Sequence, residues 1–221
     1  MERETFGICL KKFLRRTMMK KLFLYVHGKD GDAKEAEHYK KIFVNADVIG
    51  LDYKSVTPWD SKEEFMRAYQ TLSKQYESIN IIANSLGAYF AMNAWADKKI
   101  ERAFFISPVV DMEKLIENMM FWADISEEKL AEKKEIAISP GEILSWKYLC
   151  YVRAHPIVWN VPTDILYAEK DHLISKETIY DFARSHQAIV TVMKNGEHWF
   201  HTEKQMEFLD NWLMECLKKK K

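Results

Sequence analysis

Six short runs of apolar residues, rich in β-branched and aromatic side chains, recur along the chain between polar or glycine-containing turns. They are Leu22 to Val26, Asp47 to Leu51, Ile79 to Ala83, Ala103 to Ile106, Asp164 to Ala168 and Ala188 to Met193. Runs that stay apolar along their length fit strands covered on both faces. Helical patterns separate most of them. Ser61-Lys62-Glu63-Glu64 reads as a capping box, after which Phe65, Tyr69, Leu72 and Tyr76 recur on one helical face. Thr202 with Gln205 opens a last helix striped by Met206, Leu209, Leu213, Cys216 and Leu217, and Asp32 with Glu35 opens an early one before Ala36 and Tyr39. Parallel strands need crossovers, and crossovers bring helices. The alternation therefore predicts an α/β fold, a six-stranded parallel sheet with helices on both faces.

Between Ile106 and Asp164 the rhythm breaks into helical patterns with no strand among them. Asp111 can cap a helix whose apolar stripe is Met112, Leu115, Ile116, Met119 and Met120; Glu127 to Glu135 reads as a charged, solvated helix. An aromatic stretch with Trp146, Tyr148, Tyr151 and Trp159 closes the segment. Residues 109–160 are thus expected to form a helical lid over the carboxyl edge of the sheet, with core packing as the plainer fate of the stripe. A chain of 221 residues, 48% of them hydrophobic, has material for one sizeable core, so 20–221 reads as one domain carrying that insertion. Residues 1–19 read as an N-terminal extension. The stretch before Met18-Met19-Lys20-Lys21 is either a short basic amphipathic arm or dispensable.

Thirty-three basic residues balance thirty-three acidic ones, which removes any whole-molecule field for nucleic acid or an anionic membrane and leaves a small molecule as the expected partner. Cys9, Cys150 and Cys216 are odd in number and in no metal-ligand spacing, so they read as free thiols in a reducing compartment, with no metal expected. No run approaches the ~20 apolar residues of a membrane span. Lys11, Lys12, Arg15 and Arg16 interrupt any secretory core, and a cytoplasmic protein is expected.

Four segments carry candidate chemistry. In Ile79 to Ala88 an apolar strand meets a small-residue helix at Ser85, flanked two residues either side by Ala83 and Gly87; a sharp nucleophile turn needs small residues at those places. The Leu86 amide, at the helix N-terminus, could then stabilise an oxyanion, whereas the plain alternative is a serine helix cap. Leu22 to Lys29 is a buried strand ending in His27-Gly28, where a glycine lets the chain pass closely and offers the Lys29 amide as a second oxyanion donor. His27 itself reads as a hydrogen-bonded structural residue, and the Lys29 side chain as solvated or, less simply, as a contact for an anionic substrate group. Asp164 to His172 is a strand followed by an acidic turn. Asp171 lies at the carboxyl end where ligands bind, Asp164 at the opposite end, Glu169 is the substitute acid and His172 points to solvent. After the last strand, Asn195-Gly196 marks a turn that leads to His198, with His201 as runner-up. His38, His155 and His186 have no such placement.

The order Ser85, Asp171, His198, each just past a strand, is that of an α/β-hydrolase triad. From about Lys20 onward the chain resembles the α/β-hydrolase family. His27-Gly28, Ala83-Asn84-Ser85-Leu86-Gly87, Tyr167 to Asp171 and Gly196-Glu197-His198 look like its oxyanion, nucleophile, acid and base motifs. Ala83 replaces the commoner first glycine of the elbow, and Ala168 stands where relatives often have glycine. The resemblance implies strand order 2-1-3-4-5-6, a lid after strand four, no metal or organic cofactor, and a serine hydrolase. Within it a carboxylic ester of a small or medium, largely apolar substrate is the leading expectation, with Met119, Met120 and Trp199 as candidate substrate contacts. Peptidase, thioesterase and C–C hydrolase chemistry use the same three residues, and a non-catalytic ligand-binding protein could keep the fold.

Overall fold

The computed structural model describes residues 20–218. The N-terminal extension up to residue 19, with Cys9, lies outside the described residues. In chain order the elements are β1 (Lys21–Val26), a 3-10 helix (Ala33–Lys41), β2 (Asp47–Gly50), α1 (Pro58–Leu72), β3 (Ser78–Asn84), α2 (Leu86–Trp95), β4 (Arg102–Ile106), α3 (Met112–Trp122), α4 (Glu127–Lys133), β5 (Glu135–Ser139), β6 (Glu142–Ser145), α5 (Trp146–Ala154), β7 (Thr163–Ala168), α6 (Lys176–His186), β8 (Ile189–Met193) and α7 (Glu203–Lys218).

All six expected strands form, and they pair in parallel in the order β2-β1-β3-β4-β7-β8. The expected numbering counted the six strands of this sheet alone; two further strands inside the insertion move the last pair to seven and eight. Period-two alternation splits the side chains of each strand between two cores. Leu22, Leu24 and Val26 of β1 face α1, α2, α6 and the insertion, whereas Phe23 and Tyr25 face the 3-10 helix and α7, against Tyr39, Phe43 and Leu213.

Local chemistry sets the helix starts. Asp32 and Glu35 form the expected capping box, although the turns that follow are 3-10. Gln205 accepts from the Thr202 amide at 3.2 Å and the Thr202 hydroxyl accepts from the Gln205 amide at 3.3 Å, so this box forms as well. The Ser61 box does not. Thr57 caps α1 with Pro58 in its first turn, and the buried Ser61 hydroxyl instead donates to the Pro58 carbonyl at 3.1 Å. A proline pre-set for the first helical turn, behind a threonine that accepts from the Asp60 amide, outcompetes the later signal. Tyr76 falls beyond the end of α1, where its hydroxyl donates to Asp47 at 2.7 Å.

The insertion corrects the reading most. Besides α3, α4 and α5 it contains an antiparallel hairpin, β5–β6, that the helical reading of 127–135 and its surroundings missed. Glu135, Ala137 and Ser139 alternate with the half-buried Ile136 and Ile138, a pattern masked by the charged run before it. Met112, Ile116, Met120, Leu130, Leu144, Leu149 and Val152 all belong to the larger of the two cores, so the apolar face of the insertion is continuous with the body of the domain.

Candidate active site

β3 ends at Asn84 and α2 begins at Leu86, leaving Ser85 alone in the turn with φ 48 and ψ −118. A serine with positive φ is strained, and the strain holds its hydroxyl out at the carboxyl edge of the sheet. Close packing behind the turn explains its flanking residues. A Cβ on Gly87 would stand 2.2 Å from the His27 carbonyl oxygen and 2.7 Å from that of Val26, both backbone atoms, so only glycine fits. At Ala83 a methyl group is buried without such a clash.

The other three segments converge on this point. A Cβ on Gly28 would lie 3.2 Å from that of Ser85, which sets the turn after β1 directly against the serine. The Gly31 amide donates to the Gly28 oxygen at 3.2 Å and closes that turn around Lys29 and Asp30, the latter with φ 58. Ser85 Oγ lies 2.8 Å from His198 Nε2, and His198 Nδ1 lies 2.6 Å from Asp171 Oδ2. A carboxylate only accepts, so Nδ1 carries the proton and the Nε2 lone pair faces the serine hydroxyl, which donates to it. The Asp171 side chain is 0% exposed and that of His198 20%. Its second oxygen, Oδ1, accepts from the Leu173 and Ile174 amides at 2.9 and 3.0 Å. Two backbone donors plus the imidazole thus fix the carboxylate.

The loops bearing acid and base are stitched together. Glu169 and Lys170 amides donate to the Met193 and Gly196 carbonyls at 3.1 and 2.8 Å, and the Asn195 amide donates to Glu169 Oε2 at 2.8 Å. Glu169, the substitute acid, therefore braces the histidine loop. Beneath it the Tyr167 hydroxyl donates to the Ile174 carbonyl at 3.0 Å, and burial, with the Asp171 charge as a smaller cause, pushes this phenol up to about 12.

His201 turns away, donating from Nδ1 to the Trp199 carbonyl at 2.7 Å and stacking on the Trp199 ring. His27 is buried, donates to the Gly28 oxygen at 2.8 Å and stacks on Tyr53 at 4.1 Å, while the Tyr53 hydroxyl donates to the His27 carbonyl at 2.8 Å. Tyr53 follows β2 and carries no sequence signal for this role. His172 is exposed. The Lys29 ammonium is neither fully solvated nor free for a substrate anion: it donates to Glu142 Oε1 at 2.9 Å, at the tip of the β5–β6 hairpin. Met120 is buried in the larger core, Met119 packs against it, and Trp199 is 67% exposed. Among the described residues no cluster of His, Cys, Asp and Glu is arranged to hold a metal ion, and no helix is long and apolar enough to cross a membrane.

No protein-family model and no curated protein matches this sequence. Solved structures do match. Est1E from Butyrivibrio proteoclasticus superposes with a TM-score of 0.73 at 15% identity, covering 93% of this chain and 92% of that one. Alpha/beta hydrolase domain-containing protein 10 from mouse gives 0.69 at 12% identity, with 89% of each chain covered. An esterase of Pyrococcus furiosus gives 0.60 at 17% identity, covering 90% of this chain and 82% of its own. The chain has the α/β-hydrolase fold.

Proposed function

We propose that this protein is a serine hydrolase that cleaves a carboxylic ester of a small or medium, largely apolar substrate through an acyl-enzyme on Ser85. One observation carries the reading: the continuous hydrogen-bonded chain from Ser85 Oγ through His198 to the buried Asp171, at 2.8 and 2.6 Å. His198 Nε2 takes the Ser85 proton as the serine oxygen attacks the acyl carbonyl, and Asp171 steadies the imidazolium that forms. The Leu86 and Lys29 amides donate to the oxyanion. Collapse of that intermediate breaks the ester bond, and His198 returns its proton to the departing alcohol. Water, deprotonated by the same histidine, then releases the acid and restores Ser85. Met119, Met120 and Trp199 are the proposed substrate contacts, and ester chemistry draws support from the Pyrococcus furiosus esterase among the structural neighbours.

Labelling with a fluorophosphonate probe followed by peptide mapping tests this. The adduct is expected on Ser85 and is lost in Ser85→Ala. Labelling that persists in that variant would remove the serine-hydrolase reading.

A further inference from the structure

We propose that Glu142, on the hairpin of the insertion, is a positioning residue that clamps the turn carrying the Lys29 amide, the second oxyanion donor; the inference rests on the function proposed above. Glu142 opens β6 just after Gly141, whose φ of +79 turns the hairpin. Its two carboxylate oxygens have separate tasks. Oε2 accepts from the Ser139 hydroxyl at 3.1 Å across the hairpin tip, and Oε1 accepts from Lys29 Nζ at 2.9 Å. One residue is thereby braced on its own hairpin while it reaches a turn 113 positions earlier in the chain. The hairpin has firm footing, since Leu144 is buried in the larger core and the Trp146 amide donates to the Lys134 carbonyl at 2.8 Å.

The turn it meets is held at its ends and loose in its middle. The Gly28 oxygen accepts from both the Gly31 amide and His27 Nδ1, at 3.2 and 2.8 Å. Among the described residues the central amides of Lys29 and Asp30 donate to no backbone acceptor, as an oxyanion donor requires. Asp30 also sits at φ 58, a conformation that non-glycine residues adopt reluctantly. The Lys29 ammonium is the tether of this middle section, and Glu142 is its partner. The Lys29 and Glu142 side chains are 48% and 40% exposed, so the pair adds little to overall stability and salt screens it. Its effect falls on where the Lys29 amide points. Loss of a whole oxyanion donor costs ~10²–10³ in kcat, and a donor that is loosened but retained costs a small part of that, about fivefold.

The experiment compares Glu142→Gln, Lys29→Met and the charge swap Lys29→Glu/Glu142→Lys with the wild-type chain on p-nitrophenyl acetate. Each single variant is expected to lose about fivefold in kcat with little change in KM or melting temperature. The charge swap restores most of the lost kcat. Added sodium chloride at 0.5 M, about a 4 Å screening length, should bring wild-type kcat toward that of Glu142→Gln and leave the variant unmoved. Wild-type kcat in the single variants, a loss confined to KM, or a swap no better than the singles would overturn the clamp. A wild-type chain that neither labels nor turns over at Ser85 would instead overturn the hydrolase reading.

Discussion

At the scale of single residues, the carboxylates at the two ends of the strand β7 have opposite tasks. Asp171, at the carboxyl end, faces His198 and two backbone amides. Asp164, at the amino end, is buried against the Arg102 guanidinium, with contacts of 2.8 and 2.6 Å, and Arg102 also donates to the Cys216 carbonyl at 2.7 Å. Asp171→Asn is expected to lower kcat by ~10⁴-fold with a near-normal melting temperature, because the amide no longer enforces the Nδ1–H tautomer. Asp164→Asn should do the reverse, costing about 3 kcal/mol by leaving a buried arginine charge unpaired while the folded protein still turns over. Kinetics and urea titration of the two variants separate these effects, and comparable losses of kcat would mean that Asp171 has no special role.

At the scale of elements, the elbow between β3 and α2 depends on how near it runs to the end of β1. Gly87→Ala would drive a methyl group into two carbonyl oxygens of Val26 and His27, neither of which belongs to a flexible side chain. A loss of about 3 kcal/mol and of Ser85 labelling is expected, measurable by denaturant titration; a variant of wild-type stability would show that the elbow can open. The insertion poses a different question, because the buried face of α3 joins the larger core. A substrate pocket walled by that packed face, as proposed above, would have limited volume, so kcat/KM over p-nitrophenyl esters should climb with acyl length, at ~0.8 kcal/mol per buried methylene, and then fall. A steady rise to the palmitate ester would point to an open groove.

At the scale of the whole molecule, two cores on opposite faces of one sheet bury several phenols. Burial pushes Tyr76 and Tyr167 from the ordinary 10.0 up to about 12, with the Asp47 and Asp171 carboxylates as lesser causes. The sign follows from linkage. Below pH 10 both folded and unfolded chains keep these protons, whereas between 10 and 12 the unfolded chain releases them and the folded chain does not. Stability should therefore be flat toward neutral pH on their account and decline as pH rises from 10 to 12. Urea midpoints across that range, with phenolate absorbance read in parallel, check this; midpoints that hold steady would mean that these rings ionise without unfolding.

The sheet and the meeting of Ser85, Asp171 and His198 at one edge were legible in the sequence, because buried parallel strands are apolar throughout and each residue lies within five positions of a strand's carboxyl end. A strand end is a local fact, and parallel register carries all such ends to the same edge. What the sequence left undetermined depends on competition or on distance. The start of α1 was settled by Thr57 and Pro58 against the rival box at Ser61, and the β5–β6 hairpin was hidden behind a helix-forming charged run. The stacking of Tyr53 on His27 and the pairing of Lys29 with Glu142 join residues far apart in the chain, with no periodicity or motif to announce them. Local patterns of polarity fix the strands of the sheet and where they end; side-chain partners across the sheet edge exist only once packing has brought those ends together.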